Sequence, residues 1–88
     1  MTKIYCYCLF DGQGNFRGVY SSVSAVHRDA LKLCSHGGGN PLIELKDGSL
    51  PASATALRNV LKGAFDVQVE YVSQTRHRAK IIKTKLKE

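Results

Sequence analysis

Two separate stretches of this chain place apolar residues at every second position, and that period commits the chain to a sheet before anything else is considered. In residues 65–72, Phe65, Val67, Val69 and Tyr71 fall on one side and Asp66, Gln68 and Glu70 on the other, the pattern of a strand with one wet face. In residues 3–10, Ile4, Cys6, Cys8 and Phe10 alternate with Tyr5, Tyr7 and Leu9. Both faces of this first strand are apolar. The run Asp11-Gly12-Gln13-Gly14-Asn15 has residues that tolerate positive φ, and residues 16–20 resume a strand, so residues 3–20 form a hairpin.

Between these strands the period changes to that of a helix. Val23, Val26, His27, Ala30, Leu31 and Cys34 recur at helical spacing, with Ser21 or Ser22 as the cap and Gly37 to Gly39 as the stop. Residues 41–46 form a short strand closed by an Asp47-Gly48 turn. Ser53 caps a second helix that points Leu57, Val60 and Leu61 inward and ends at Gly63. Residues 76–88 fit a strand in which Arg76, Arg78 and Lys80 share a face, and one bulge at Ile81-Ile82 brings Lys83, Lys85 and Lys87 to that same face. A helix would align only Arg76, Lys80, Lys83 and Lys87 beside Ala79, Ile82 and Leu86, leaving out Arg78, Lys85 and Ile81. The strand accounts for more residues.

The expected architecture is therefore α+β, in the order ββαβαββ: a single small domain with a largely antiparallel sheet and two helices on one face. Residues 1–75 supply the core, and residues 76–88 a basic C-terminal strand or tail of the same domain. The cysteine face of the first strand is expected to pack on the helices, which leaves Tyr5, Tyr7 and Leu9 on the open face as a stacking or interface surface.

A chain of 88 residues hides only about 60 to 65% of the surface its unfolded form exposes. With a first strand apolar on both faces, a homodimer is the expected state. Three cysteines make an odd number. Residues 1–5 carry no charged leader with an apolar signal core, and no apolar run is long enough to cross a bilayer, so reduced thiols in the cytoplasm are expected.

Catalytic and cofactor motifs fail on inspection. His36 followed by Gly37, Gly38 and Gly39 has no Gly-x-Ser-x-Gly nucleophile elbow to serve, and Asn40-Pro41 leads into a strand rather than the helix N-terminus a phosphate cradle needs. Arg17 occupies the place of the third glycine after Gly12 and Gly14, which breaks a dinucleotide fingerprint. Cys6, Cys8, Cys34, His27 and His36 contain no tight Cys-x-x-Cys knuckle, and buried cysteines are common as small apolar groups. Cys34 with His36, or His27 with Asp29, does not make a nucleophile, base and orienter. A non-enzymatic protein without cofactor or metal is expected.

The charge is what remains. The net charge is +6, from thirteen Lys and Arg against seven acids. Residues 76–88 hold six of those cations and one acid, Glu88, giving +5; residues 1–75 hold seven against six, giving +1. Arg76, His77, Arg78, Lys80, Lys83, Lys85 and Lys87, with Arg17, are the candidate nucleic-acid contacts. Cross-strand pairing would set Glu70 near Arg78, Gln68 near Lys80 and Asp66 near Lys83, and a cationic surplus survives it. RNA, single-stranded or structured, is favoured over duplex DNA because no recognition helix carries the charge and because tyrosines lie nearby. The competing expectation is an inhibitor or adaptor whose basic face meets an acidic protein. In size, in its basic tail and in lacking any housekeeping motif, the chain resembles the small accessory proteins that tailed phages make against host defences, including basic RNA-associated inhibitors of toxin–antitoxin systems. That resemblance implies a binding protein that blocks a host defence or toxin system.

Overall fold

The computed structural model describes residues 5–34, 41–45, 48–63, 68–73 and 77–85. The elements are β1 (Tyr5–Asp11), β2 (Phe16–Tyr20), α1 (Val23–Cys34), β3 (Leu42–Leu45), β4 (Gly48–Pro51), α2 (Ala54–Gly63), β5 (Gln68–Val72) and β6 (Arg78–Lys85). The α+β class and the ββαβαββ order both hold, with β4 as a short addition that pairs with β3 in a hairpin. All pairings are antiparallel, in the spatial order β2-β1-β6-β5-β3-β4.

Local chemistry accounts for the ends of these elements. Asp11 closes the first hairpin: its Oδ1 accepts from the backbone N–H groups of Gln13 and Asn15, both at 2.9 Å, while Gly14 supplies the φ of 85° that the turn needs. Ser22 Oγ accepts from the Ala25 N–H at 3.2 Å, and Ser53 Oγ from the Ala56 N–H at 3.0 Å. Each serine thus satisfies a donor that the first turn of its helix would leave orphaned. Between β5 and β6, the Ser73 N–H donates to the His77 carbonyl at 2.9 Å and the His77 N–H donates to Ser73 Oγ at 3.0 Å.

Both helices lie on one face of the sheet. Leu9, Ile43, Val69, Tyr71, Ala79 and Ile81 from the strands form one core with Val26, Ala30 and Cys34 of α1 and Leu57 and Leu61 of α2. Register confirms the shared face, since Leu9 stands opposite Ile81, Ile81 opposite Val69, and Tyr71 opposite both Ala79 and Ile43.

Expectations about β1 and β6 are corrected by this register. Leu9, expected on the open face with Tyr5 and Tyr7, is 1% exposed, and Tyr7 packs half-buried against the same core. The helix-facing side of β1 is therefore Tyr5, Tyr7 and Leu9, and the open side is Cys6, Cys8 and Phe10. Cys34 is a core residue, but Cys6 and Cys8 are only half-buried. No bulge separates Ile81 from Ile82 either: β6 runs in unbroken register against both β1 and β5. Ile81 faces the helices and Ile82 the open side, so the cations of this strand are divided between two faces. The C-terminal segment is not a peripheral tail over residues 78–85. It lies between β1 and β5 with neighbours on both sides.

Candidate nucleic-acid interface

On the open side, residues that pair across neighbouring strands form rows. One row runs Glu44, Glu70, Lys80, Phe10, Phe16, and the next Gln68, Ile82, Cys8, Val19. Arg78 Nη1 donates to Glu70 Oε2 at 3.0 Å and lies 3.6 Å from Glu44 Oε1. The pairing of Glu70 with Arg78 expected from the sequence is present, but as a diagonal contact, because Glu70 stands directly opposite Lys80. Gln68 stands opposite Ile82 rather than Lys80. Asp66, its counterpart in the third expected pair, lies outside the described residues.

The described strand residues on this open side thus carry two cations, Arg78 and Lys80, and two acids, Glu44 and Glu70. Their charges cancel. Among the described residues, this side is neutral.

The helix side differs. Arg28 and Lys32 stand one turn apart on α1, and Arg58 and Lys62 one turn apart on α2; all four are exposed. Packing inward of Val26, Ala30 and Leu57 directs these positions to solvent. Arg17 adds a fifth cation, its Nη1 4.0 Å from Asp11 Oδ2, and Lys83 a sixth. Against them stand two described acids, Asp11 and Asp29. Lys32 Nζ lies 3.8 Å from Asp29 Oδ1, a solvent-screened pair worth at most about 1 kcal/mol. Asp29 also accepts from the Tyr20 hydroxyl at 2.5 Å. That bond, helped by burial, raises the phenol above its ordinary value and keeps it a donor.

Among the described sequence candidates, Lys83 is joined to an aromatic. Its ammonium sits 4.4 Å from the centre of the Tyr5 ring, a cation–π contact. Tyr5 remains 39% exposed, so this end of the helix-side face opens to solvent. Lys85 pairs in register with Tyr5. His77 is exposed at the start of β6. Arg76 and Lys87 lie outside the described residues. The four helix cations were absent from the sequence candidates. Their signal was present as Arg-x-x-x-Lys in both helices, Arg28 to Lys32 and Arg58 to Lys62, at the spacing that stacks side chains on one helix flank.

A pocket of about 190 Å³ lies between β2 and α1, lined by Leu9, Arg17, Tyr20, Asp29, Lys32 and Leu33. Its acid is engaged by Tyr20 and Lys32, and it offers cations and a phenol rather than a nucleophile with a base. Among the described residues no group of three or more His, Cys, Asp or Glu is placed to hold a metal ion. No described helix is long and apolar enough to cross a membrane. No protein-family model, curated protein or solved structure matches this chain.

Proposed function

We propose that this chain is a small non-enzymatic RNA-binding protein that grips phosphates with its helix side and with the β6 end beside Tyr5. The observation that carries the proposal is the partition of charge. Among the described residues, Arg17, Arg28, Lys32, Arg58, Lys62 and Lys83 outnumber Asp11 and Asp29 on the helix side, whereas the charges of the open side cancel. A one-sided field of this kind concentrates a polyanion and steers its approach.

RNA is preferred to duplex DNA on two grounds. Both helices are packed on the sheet through Val26, Ala30, Cys34, Leu57 and Leu61, which does not favour either as a reading head for a major groove. Tyr5 also offers an exposed ring next to a cation, which suits an unpaired base beside its phosphate. Binding of this kind positions a strand without specifying a sequence. The resemblance to phage accessory proteins extends the proposal to an RNA-associated inhibitor of a host defence or toxin system.

Purification with and without nuclease tests it. The protein should leave the untreated preparation with excess absorbance at 260 nm, lose that excess after treatment, and then bind added RNA in a salt-sensitive manner. A preparation free of nucleic acid that binds no RNA at low salt would transfer the cationic side to an acidic protein partner.

A further inference from the structure

The open side of the sheet exposes apolar side chains among its described residues. Val19 is 58% exposed, Phe16 57% and Leu42 41%. Phe10 packs edge-on against Phe16 with ring centroids 5.6 Å apart, and Cys8 and Ile82 stand opposite each other in the adjoining row with Val19. Phe10, Phe16, Cys8, Val19 and Ile82 adjoin one another on β2, β1 and β6, with Leu42 exposed separately on β3, and exposed apolar surface grouped in this way marks an interaction surface.

We propose that the open face is a homodimer interface, in which a second copy of this chain stacks its own open face on the first to form a β-sandwich. Three features favour a second copy over other occupants. The first is charge: the face carries two cations and two acids among its described residues, and Arg78 already binds Glu44 and Glu70. A polyanion gains little there, while two copies of a +6 chain meet across a face whose described charges cancel.

Area is the second feature. Six strands about 4.8 Å apart and roughly 20 Å long present roughly 550 Å² per copy, so stacking two buries roughly 1,100 Å², just above the lower bound for a specific interface. The third is that the edges are blunted. β4 is four residues long and ends at Pro51, and β2 shifts register across Leu9 and Phe10, with Gly18 inside it. Short, proline-bearing and bulged edges resist strand addition, which leaves the face rather than an edge for association. Stacking in this way leaves both helix layers outward, so the dimer presents two cationic surfaces on opposite sides.

The inference goes beyond RNA binding and does not depend on it, so the test uses nuclease-treated protein and reads mass. Light scattering should give two chains at roughly 100 µM and a fall toward one chain on dilution, in keeping with a small interface. Val19→Glu and, independently, Phe16→Glu should each hold the protein at one chain with an unchanged circular dichroism spectrum, because both side chains point to solvent in the single chain. Cys6 and Cys8 should react with a maleimide more slowly at high protein concentration than at low. Cys34 should stay silent at both, since burial pushes its thiol up to about 11 and closes it to the reagent. One chain at every concentration, unchanged mass in both glutamate variants, or thiol rates indifferent to concentration would each overturn the proposal. Loss of RNA affinity in Val19→Glu without any change of mass would also overturn it, by assigning the face to RNA.

Discussion

Tyr71 is the largest side chain fully enclosed in the core, and it carries a polar atom there. Its hydroxyl lies 2.6 Å from His27 Nδ1 with the two rings edge to face at 64°. Burial holds the phenol far above its ordinary range and the imidazole below its ordinary value. A protonated phenol facing a neutral ring nitrogen is the arrangement both shifts favour, with Tyr71 donating. Tyr71→Phe would leave that nitrogen without its donor, so urea denaturation should find the variant about 1 to 3 kcal/mol less stable. His27 also sets an acid limit. Because its folded pKa is depressed, its contribution to stability is present above 6.5 and lost as pH falls from there through the folded value. Asp11 acts in a separate window. The backbone N–H of Asn15, with that of Gln13, holds its carboxyl below 3.8, so its contribution disappears only as pH falls further. Urea midpoints measured against pH should therefore decline in two stages. His27→Gln should remove the upper stage and leave the lower one.

At the scale of the element, β6 shows what periodicity can and cannot tell. The alternation of Val69 with Gln68 and Glu70 made β5 legible because one face is wet. On β1 the same rule was silent, since Cys6, Cys8 and Phe10 are about as apolar as Tyr5, Tyr7 and Leu9. Which set turns inward is decided by β6, whose Ile81 stands opposite Leu9 and whose small Ala79 lies beside Tyr71. The expected bulge at Ile81-Ile82 kept every cation on one side, but a strand between two neighbours loses ladder bonds on both flanks if it bulges. Continuous pairing divides the cations instead. β4 was missed because Gly48 and Pro51 carry little strand propensity, and only its pairing to β3 makes it a strand. The two isoleucines give the sharpest check. Ile81→Ala should cost about 2 to 5 kcal/mol, whereas Ile82→Ala, compared at concentrations that hold a single chain, should cost about 1 kcal/mol. Equal losses would mean the parity is wrong. Deleting residues 76–88 should abolish the cooperative unfolding transition, since it removes a strand from inside the sheet, where a dispensable tail would leave the transition intact.

For the whole molecule the decisive property is that charge is divided unequally between the two sides of the sheet. Among the described residues the helix side carries the surplus cations, and on the open side Phe16, Val19 and Leu42 are exposed beside charges that cancel. Composition along the chain pointed to residues 76–88 because it counts charges in order, and folding sorts them by face. Arg78 is spent on two glutamates, while Arg28 and Arg58, far from the C-terminus in sequence, belong to the outward cationic layer. The measurement that tests this most directly is RNA affinity against salt for three nuclease-treated proteins: the parent, Lys80→Ala, and a variant with Arg28, Lys32, Arg58 and Lys62 all changed to alanine. Each single-strand phosphate contact contributes about −0.7 to the slope of log affinity against log salt. If the four helix cations all engage, the quadruple variant should weaken binding and flatten the slope by about 3 units, while Lys80→Ala leaves it within about 0.7 of the parent. A quadruple variant with the slope of the parent, or a parent with no salt-sensitive binding, would contradict the account.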